Sequence, residues 1–184
     1  PGAPAFVWVH PRHADRFRQP LAGWMGHAAP FAFTPGYTPA PGIARYLCGT
    51  PPVIQMAALE CGIDTVLAAE PLGGMAALRR KSLALTDLFI ELIDGRCAGH
   101  GLALITPTDH AIRGSQVNLA RAEGAYAIVQ ALIARGVIGD FRAPDILRFG
   151  FAPLYVRHAD AWDAAAALAE VLASDDWKRP AFQQ

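Results

Sequence analysis

Three residues in this sequence have the type and setting to do chemistry on a ligand: Arg148, Thr50 and Trp24. Arg148 lies in the run Ile146-Leu147-Arg148-Phe149-Gly150-Phe151. Strand alternation puts Leu147 and Phe149 on one face and Arg148 on the other, with Gly150 leaving room beside it. An unpaired guanidinium is costly to bury. Arg148 must therefore meet a fixed carboxylate of the protein, a ligand carboxylate held through two N–H groups, or water at a sheet edge. Thr50 sits in Gly49-Thr50-Pro51-Pro52, just ahead of an expected helix. There a hydroxyl and free N–H groups can bind an anion, or the threonine can serve as an ordinary cap. Trp24 is the aromatic of a glycine-flanked loop, Gly23-Trp24-Met25-Gly26-His27. It can stack on a flat ligand or partner, or close a small hydrophobic cluster under its loop.

Other chemistries are poorly served. His10 and His13 form one pair at ligand spacing and Cys97 and His100 another, but a zinc site needs three or four ligands. The three serines, Ser82, Ser115 and Ser174, are outside any G-x-S-x-G elbow. Cys48 and Cys61 have apolar sequence neighbours and read as small hydrophobes. Neither common glycine-rich phosphate motif occurs.

The elements that must position these residues follow from the hydrophobic pattern. Ala5-Phe6-Val7-Trp8-Val9 reads as a buried strand, and Ile43 to Cys48 as another. Between Pro20 and Pro52 frequent proline and glycine predict loop elsewhere. A helix should follow Pro51-Pro52 and run to about Cys61-Gly62. Gly73-Gly74 marks a joint, and a boundary between two structural units is expected near residue 74. A long amphipathic helix then begins at Met75, with Leu78, Leu85, Leu88, Phe89 and Leu92 on one side and Gly95 as its left-handed cap. Beyond it, strands are expected at 102–105, 115–119, 137–141 and 146–149. Helices are expected at 125–135, capped by Gly136, and at 160–173. The polar tail after Asp176 should fray.

The 184 residues suffice for one domain, or one and part of another. Hydrophobic residues make up 53% and charged residues 17%, which excludes a disordered chain. Sixteen basic and sixteen acidic residues cancel, so no electrostatic reason exists to expect a nucleic-acid or anionic-membrane partner. No apolar window is long enough to predict a transmembrane helix. Three cysteines point to a reducing, cytoplasmic setting rather than a disulfide scaffold. The first residues lack a start methionine and enter a strand pattern almost at once, which predicts a C-terminal piece of a longer polypeptide.

Taken together, several segments resemble kynureninases. They are Gly2-Ala3-Pro4-Ala5-Phe6, Gly23-Trp24-Met25-Gly26-His27, Arg45-Tyr46-Leu47-Cys48-Gly49-Thr50-Pro51-Pro52, Arg113-Gly114-Ser115-Gln116-Val117, and Ile146 to Tyr155. The resemblance implies an α/β fold: the C-terminal part of a fold-type-I enzyme dependent on pyridoxal 5'-phosphate, like aspartate aminotransferase in architecture. Residues 1–74 would then be the end of the large cofactor-binding domain, and residues 75–184 the small C-terminal α+β domain. It also implies a homodimer with active sites at the interface, and hydrolysis of the Cβ–Cγ bond of L-kynurenine, or 3-hydroxykynurenine, to anthranilate and L-alanine in tryptophan degradation. By the same resemblance Trp24 and Thr50 contact the cofactor, Thr50 at its phosphate, and Arg148 binds the substrate α-carboxylate.

One departure is large. The family's Schiff-base lysine lies in a Tyr-Lys-Tyr-x-x-Gly-Gly-Pro-Gly run, of which only Pro1-Gly2 is present. The two lysines of this sequence, Lys81 and Lys178, lie in a charged helix stretch and in the tail. The catalytic lysine is expected upstream of Pro1, so this chain alone is expected to be inactive. Two other readings share some of these features: another fold-type-I enzyme such as an aminotransferase or a cysteine desulfurase-like protein, and a non-catalytic fragment or paralogue.

Overall fold

A computed structural model describes residues 4–183. Gly2 and Ala3, the start of the first family segment, lie outside them. The chain forms two compact units, residues 1–65 and 66–184.

The first unit is mostly loop, as its prolines and glycines predict. Its regular pieces are a short helix α1 (Pro11–Ala14), 3-10 turns at Trp24–Gly26 and Gly42–Tyr46, and helix α2 (Val53–Leu67), which crosses into the second unit. Neither strand expected here forms. Residues 5–9 form no regular element and pair with no strand, with Phe6 80% and Trp8 74% exposed. An apolar run becomes a strand only against a sheet edge, and the described residues of this unit offer none. Residues 43–46 take a 3-10 turn instead. Helix α2 passes through Gly62 and continues to Leu67, because an interior glycine only weakens a helix by about 1 kcal/mol. It buries no residue, and Val53, Ile54, Met56 and Ile63 are all exposed.

The second unit is a two-layer α/β structure. Helix α3 (Gly74–Arg96) is followed by β1 (Ala103–Leu104), β2 (Gln116–Ala120), α4 (Ala125–Ala134), β3 (Asp140–Arg142), β4 (Ile146–Gly150) and α5 (His158–Ala173). The four strands form one antiparallel sheet in the order β1-β2-β4-β3. Alternation sorts its two faces. Val117, Leu119, Leu147 and Phe149 are buried with Leu85 and Phe89 of α3, Ile128 and Leu132 of α4, and Ala165 and Leu168 of α5. Phe89 sits at the centre, its ring centroid 5.0 Å from those of both Phe149 and Phe151. The other face carries Gln116, Asn118, Arg148 and Asp140 and is only partly covered.

The expected strands and helices of this unit form within a few residues of their predicted limits, with two corrections. Gly95 does not cap α3: the helix runs on to Arg96 and is capped by Cys97, at φ −108°, whose N–H donates to the Ile93 carbonyl. The tail does not fray either. Trp177 is 4% exposed and belongs to the core, and its carbonyl accepts a bond from Gln183 at 2.8 Å. One aromatic ring outweighs the polarity of its neighbours, because burying it removes a large apolar area from water.

Candidate functional site

In the first unit the Trp24 loop and the Arg45–Thr50 run are built as one piece. A side chain at Gly23 would place its Cβ 1.4 Å from the Cys48 carbonyl oxygen, and one at Gly26 would lie 2.7 Å from that of Arg45. Both glycines are there because backbone meets backbone. Further bonds close the loop: Ala40 N–H to the Gly26 carbonyl at 2.8 Å, and the Tyr37 hydroxyl to the same carbonyl at 3.1 Å. Arg45 ties the other side down. Its Nη1 and Nη2 donate to the Asp15 carbonyl and carboxylate at 2.6 Å, and its Nε to the Ala40 carbonyl at 3.0 Å. Part of these motifs is therefore scaffold, and the two glycines and Arg45 explain why Trp24 is held where it is.

Trp24 stands half exposed with its ring edge-on to Phe31, centroids 5.6 Å apart. It lines a hollow of about 310 Å³ with His27, Pro30, Phe33 and Tyr37. Trp24 thus joins a small aromatic cluster, one of its two sequence readings, and its exposed part borders the hollow. Thr50 is exposed, and its hydroxyl bonds to none of the described residues. Helix α2 starts at Val53, too far along for Thr50 to be its cap residue. Cys48 and Cys61 are exposed thiols rather than buried hydrophobes.

Arg148 belongs to the second unit. On β4 it stands in register between Asn118 of β2 and Asp140 of β3. Its Nη2 pairs with the Asp140 carboxylate, whose Oδ2 also meets Arg142 at 2.9 Å. Of the three partners that periodicity left open for Arg148, the chain itself supplies a carboxylate. That bond leaves Nε and Nη1 without a hydrogen bond to any described residue. Asn118 is oriented by Gln116, whose amide nitrogen donates to its oxygen at 2.7 Å, so its own amide N–H groups stay free. Gly150 adds no bulk: nothing lies within 4 Å of where its Cβ would be.

The Arg113-Gly114-Ser115-Gln116 run anchors this face. The Arg113 side chain is 2% exposed and pairs with Asp87 of α3, which His110 also meets at 3.0 Å. Burial pushes the Asp87 carboxyl up, but the bonds from His110 and Arg113 outweigh it and hold the group below its ordinary value. The Ser82 hydroxyl donates to that of Ser115 at 2.6 Å. Sequence reasoning missed Asp87 and Asp140. Asp140 falls inside the strand expected at 137–141, but only the β3–β4 register sets it opposite Arg148.

The donor set of Thr50 and Trp24, a hydroxyl and an indole N–H, suits a phosphate oxygen. Neither lysine suits covalent attachment. Lys81 Nζ donates to the Pro153 carbonyl at 2.8 Å, and Lys178 pairs with Asp175 at 2.9 Å. Among the described residues no group of three His, Cys, Asp or Glu side chains can hold a metal, and no helix is long and apolar enough to cross a membrane.

The two-layer unit, preceded by a loop-rich segment, has the fold of the C-terminal part of a fold-type-I pyridoxal-phosphate enzyme. A solved structure described as a C-DES mutant with glycine covalently linked to its PLP cofactor shares this fold at a TM-score of 0.60 and 20% identity, covering 89% of this chain and 40% of that one. Residues 78–168 match the kynureninase C-terminal domain. The chain is 54% identical over 182 residues to kynureninase from Burkholderia mallei, covering 99% of this chain and 42% of the relative. It is 55% identical over 183 residues to kynureninase from Pseudomonas fluorescens, covering 100% of this chain and 43% of that one. The chain belongs to the kynureninase family, and it spans less than half the length of the curated relatives it matches.

Proposed function

We propose that this chain forms part of a kynureninase that hydrolyses the Cβ–Cγ bond of L-kynurenine, or its 3-hydroxy derivative, to anthranilate and L-alanine in tryptophan degradation. The observation that carries this reading is identity above half across the whole chain to kynureninases. Residues 1–74 are read as the end of the large cofactor domain and residues 75–184 as the small domain. The contact pattern parts the chain somewhat earlier, after Thr65.

Thr50, Trp24 and Arg148 each have a definite task in this reading. Pyridoxal phosphate, when bound, supplies the electron sink for bond cleavage next to Cα. The Thr50 hydroxyl donates to its phosphate, and Trp24 holds the cofactor region. Arg148 clamps the substrate carboxylate through the N–H groups that Asp140 leaves free, which fixes the orientation of the Cα–H bond. The engagement of Lys81 and Lys178 elsewhere supports placing the covalent lysine outside this sequence, so that the chain on its own does not turn over substrate. The working form is assigned as a cytoplasmic homodimer with its site at the subunit interface. The apolar residues that α2 exposes along its length support such burial.

The test is anthranilate release from L-kynurenine, followed by fluorescence in the complete enzyme. Arg148→Ala is expected to lower kcat/KM about a hundredfold, since removing one partner of a hydrogen-bonded charge pair costs about 2–5 kcal/mol. Unchanged kinetics in that variant would remove Arg148 from the site. An aminotransferase would instead convert L-kynurenine only with an added 2-oxo acid.

A further inference from the structure

We propose that Asp140 is a positioning residue: it holds the Arg148 guanidinium in the orientation that receives the substrate carboxylate. The proposal rests on the reading of Arg148 given above and deepens it. Arginine has many rotamers, and a ligand that must order a free one loses affinity to entropy. Here the ordering is done before the ligand arrives. Asp140 lies directly across β3–β4 from Arg148, in register, and takes the Nη2 end of the guanidinium. The same Oδ2 also meets Arg142, at 2.9 Å. Because a guanidinium is planar and rigid, holding one nitrogen aims the other two. Nε and Nη1 are left free on a face where Gly150 adds no side chain and Asn118 offers further N–H donors.

The charges are compatible with a carboxylate guest. Arg142 and Arg148 against Asp140 leave one net positive charge at the cluster. The alternative role of Asp140 is that of a competitor, an internal anion that the substrate must displace. The two roles predict opposite signs on the same substitution. A purely structural cross-strand pair predicts a change in stability and none in binding.

The measurement is a comparison of Asp140→Ala, Asp140→Asn and Asp140→Glu with the unsubstituted complete enzyme. KM and kcat are read for L-kynurenine, and inhibition by kynuramine, the same molecule without the α-carboxylate. Positioning predicts that Asp140→Ala raises KM about tenfold, within what the ordering entropy of one arginine allows. It predicts an intermediate effect for Asn, which keeps an acceptor but no charge, and recovery of most of the loss by Glu. Kynuramine binding should be unmoved. A KM that falls in Ala and Asn assigns Asp140 as competitor, and a KM that stays constant makes the pair structural; either overturns the proposal. Should the unsubstituted enzyme release no anthranilate from L-kynurenine, the functional reading fails by itself. Asp140 is then read from the Arg148 Nε–H resonance during titration with L-alanine: a response lost in Asp140→Ala sustains the positioning role, and an equal response in both proteins overturns it.

Discussion

The replacement Gly23→Ala tests how the Trp24 loop and the Thr50 segment are joined. The added methyl carbon would lie 1.4 Å from the Cys48 carbonyl oxygen, 2.4 Å from the carbonyl carbon and 2.9 Å from Cα. All three are backbone atoms, so no rotamer change relieves the clash. Contacts under 3.0 Å are essentially never seen for real Cβ atoms, so the two strands of chain must part by at least about 1.6 Å. Overpacking of this kind costs about 1–3 kcal/mol of stability. The functional cost is larger, because displacement of a binding group by about 1 Å can lose about a hundredfold. Gly49→Ala is the control. It lies in the same run, next to Thr50, and nothing stands within 4 Å of its Cβ position. In the complete enzyme, Gly23→Ala is expected to weaken pyridoxal-phosphate affinity by about ten- to a hundredfold and to lower the unfolding midpoint, while Gly49→Ala leaves both near the parent values. Affinity is read from the cofactor's absorbance on titration, and stability from thermal unfolding. Equal effects of the two alanines would refute the claim that close backbone approach, rather than loop flexibility, is what requires glycine at position 23.

Other outcomes follow from the second unit. Phe89→Ala should cost about 3–5 kcal/mol in chemical denaturation, since its fully buried ring touches two others. Gly124→Ala should cost at least about 1 kcal/mol, because it forces a side chain into a left-handed residue at φ 73° and against the Trp177 ring, 2.2 Å from its Cβ position. Burial pushes the Cys97 thiol up to about 11 from an ordinary 9.0. Its contribution to stability is complete below about pH 9 and declines as pH rises toward 11, where the unfolded chain gains by ionising first; Cys97→Ala should flatten that alkaline fall in melting temperature. A thiol reagent at neutral pH should leave Cys97 unlabelled until the protein unfolds. The side-chain and backbone bonds from Arg157 hold Asp160 down at about 2, so its contribution is complete above about pH 4 and is lost as pH falls toward 2. Asp160→Asn should remove that acid dependence from the melting temperature.

The difference between the two units explains what the sequence could reveal. In residues 66–184 each element buries its apolar face against another element of the same unit. Period and burial therefore agree, and strands at 116–120 and 146–150 and helices at 74–96, 125–134 and 158–173 lie close to where alternation and helical spacing put them. The misses there are local: Gly95 was read as a stop because glycine is a common cap, and Trp177 as tail because its neighbours are polar. In residues 1–65 the apolar residues of 5–9 and of α2 are largely exposed. Period alone cannot identify an element that buries its apolar face against nothing in its own described unit, which is why two strands are expected where an irregular segment and a 3-10 turn are found.

The site shows the same division in finer form. Arg148 was legible because a charged residue inside an apolar alternation must be explained by something on its own face. Its partner Asp140 was not, because strand β3 is only three residues long and carries no periodicity of its own. Short edge strands take their register from the neighbour, so Asp140 becomes opposite to Arg148 only once the β3–β4 hairpin is formed. The residues of the motifs that carry the resemblance divide in the same way. Gly23, Gly26, Arg45, Arg113 and Ser115 are consumed in holding backbone to backbone or sheet to helix. Thr50, Trp24 and the free edge of Arg148 are what that scaffolding leaves available. A sequence motif marks both kinds of residue alike, and only the hydrogen-bond partners separate the groups that are already satisfied from those still able to bind a ligand.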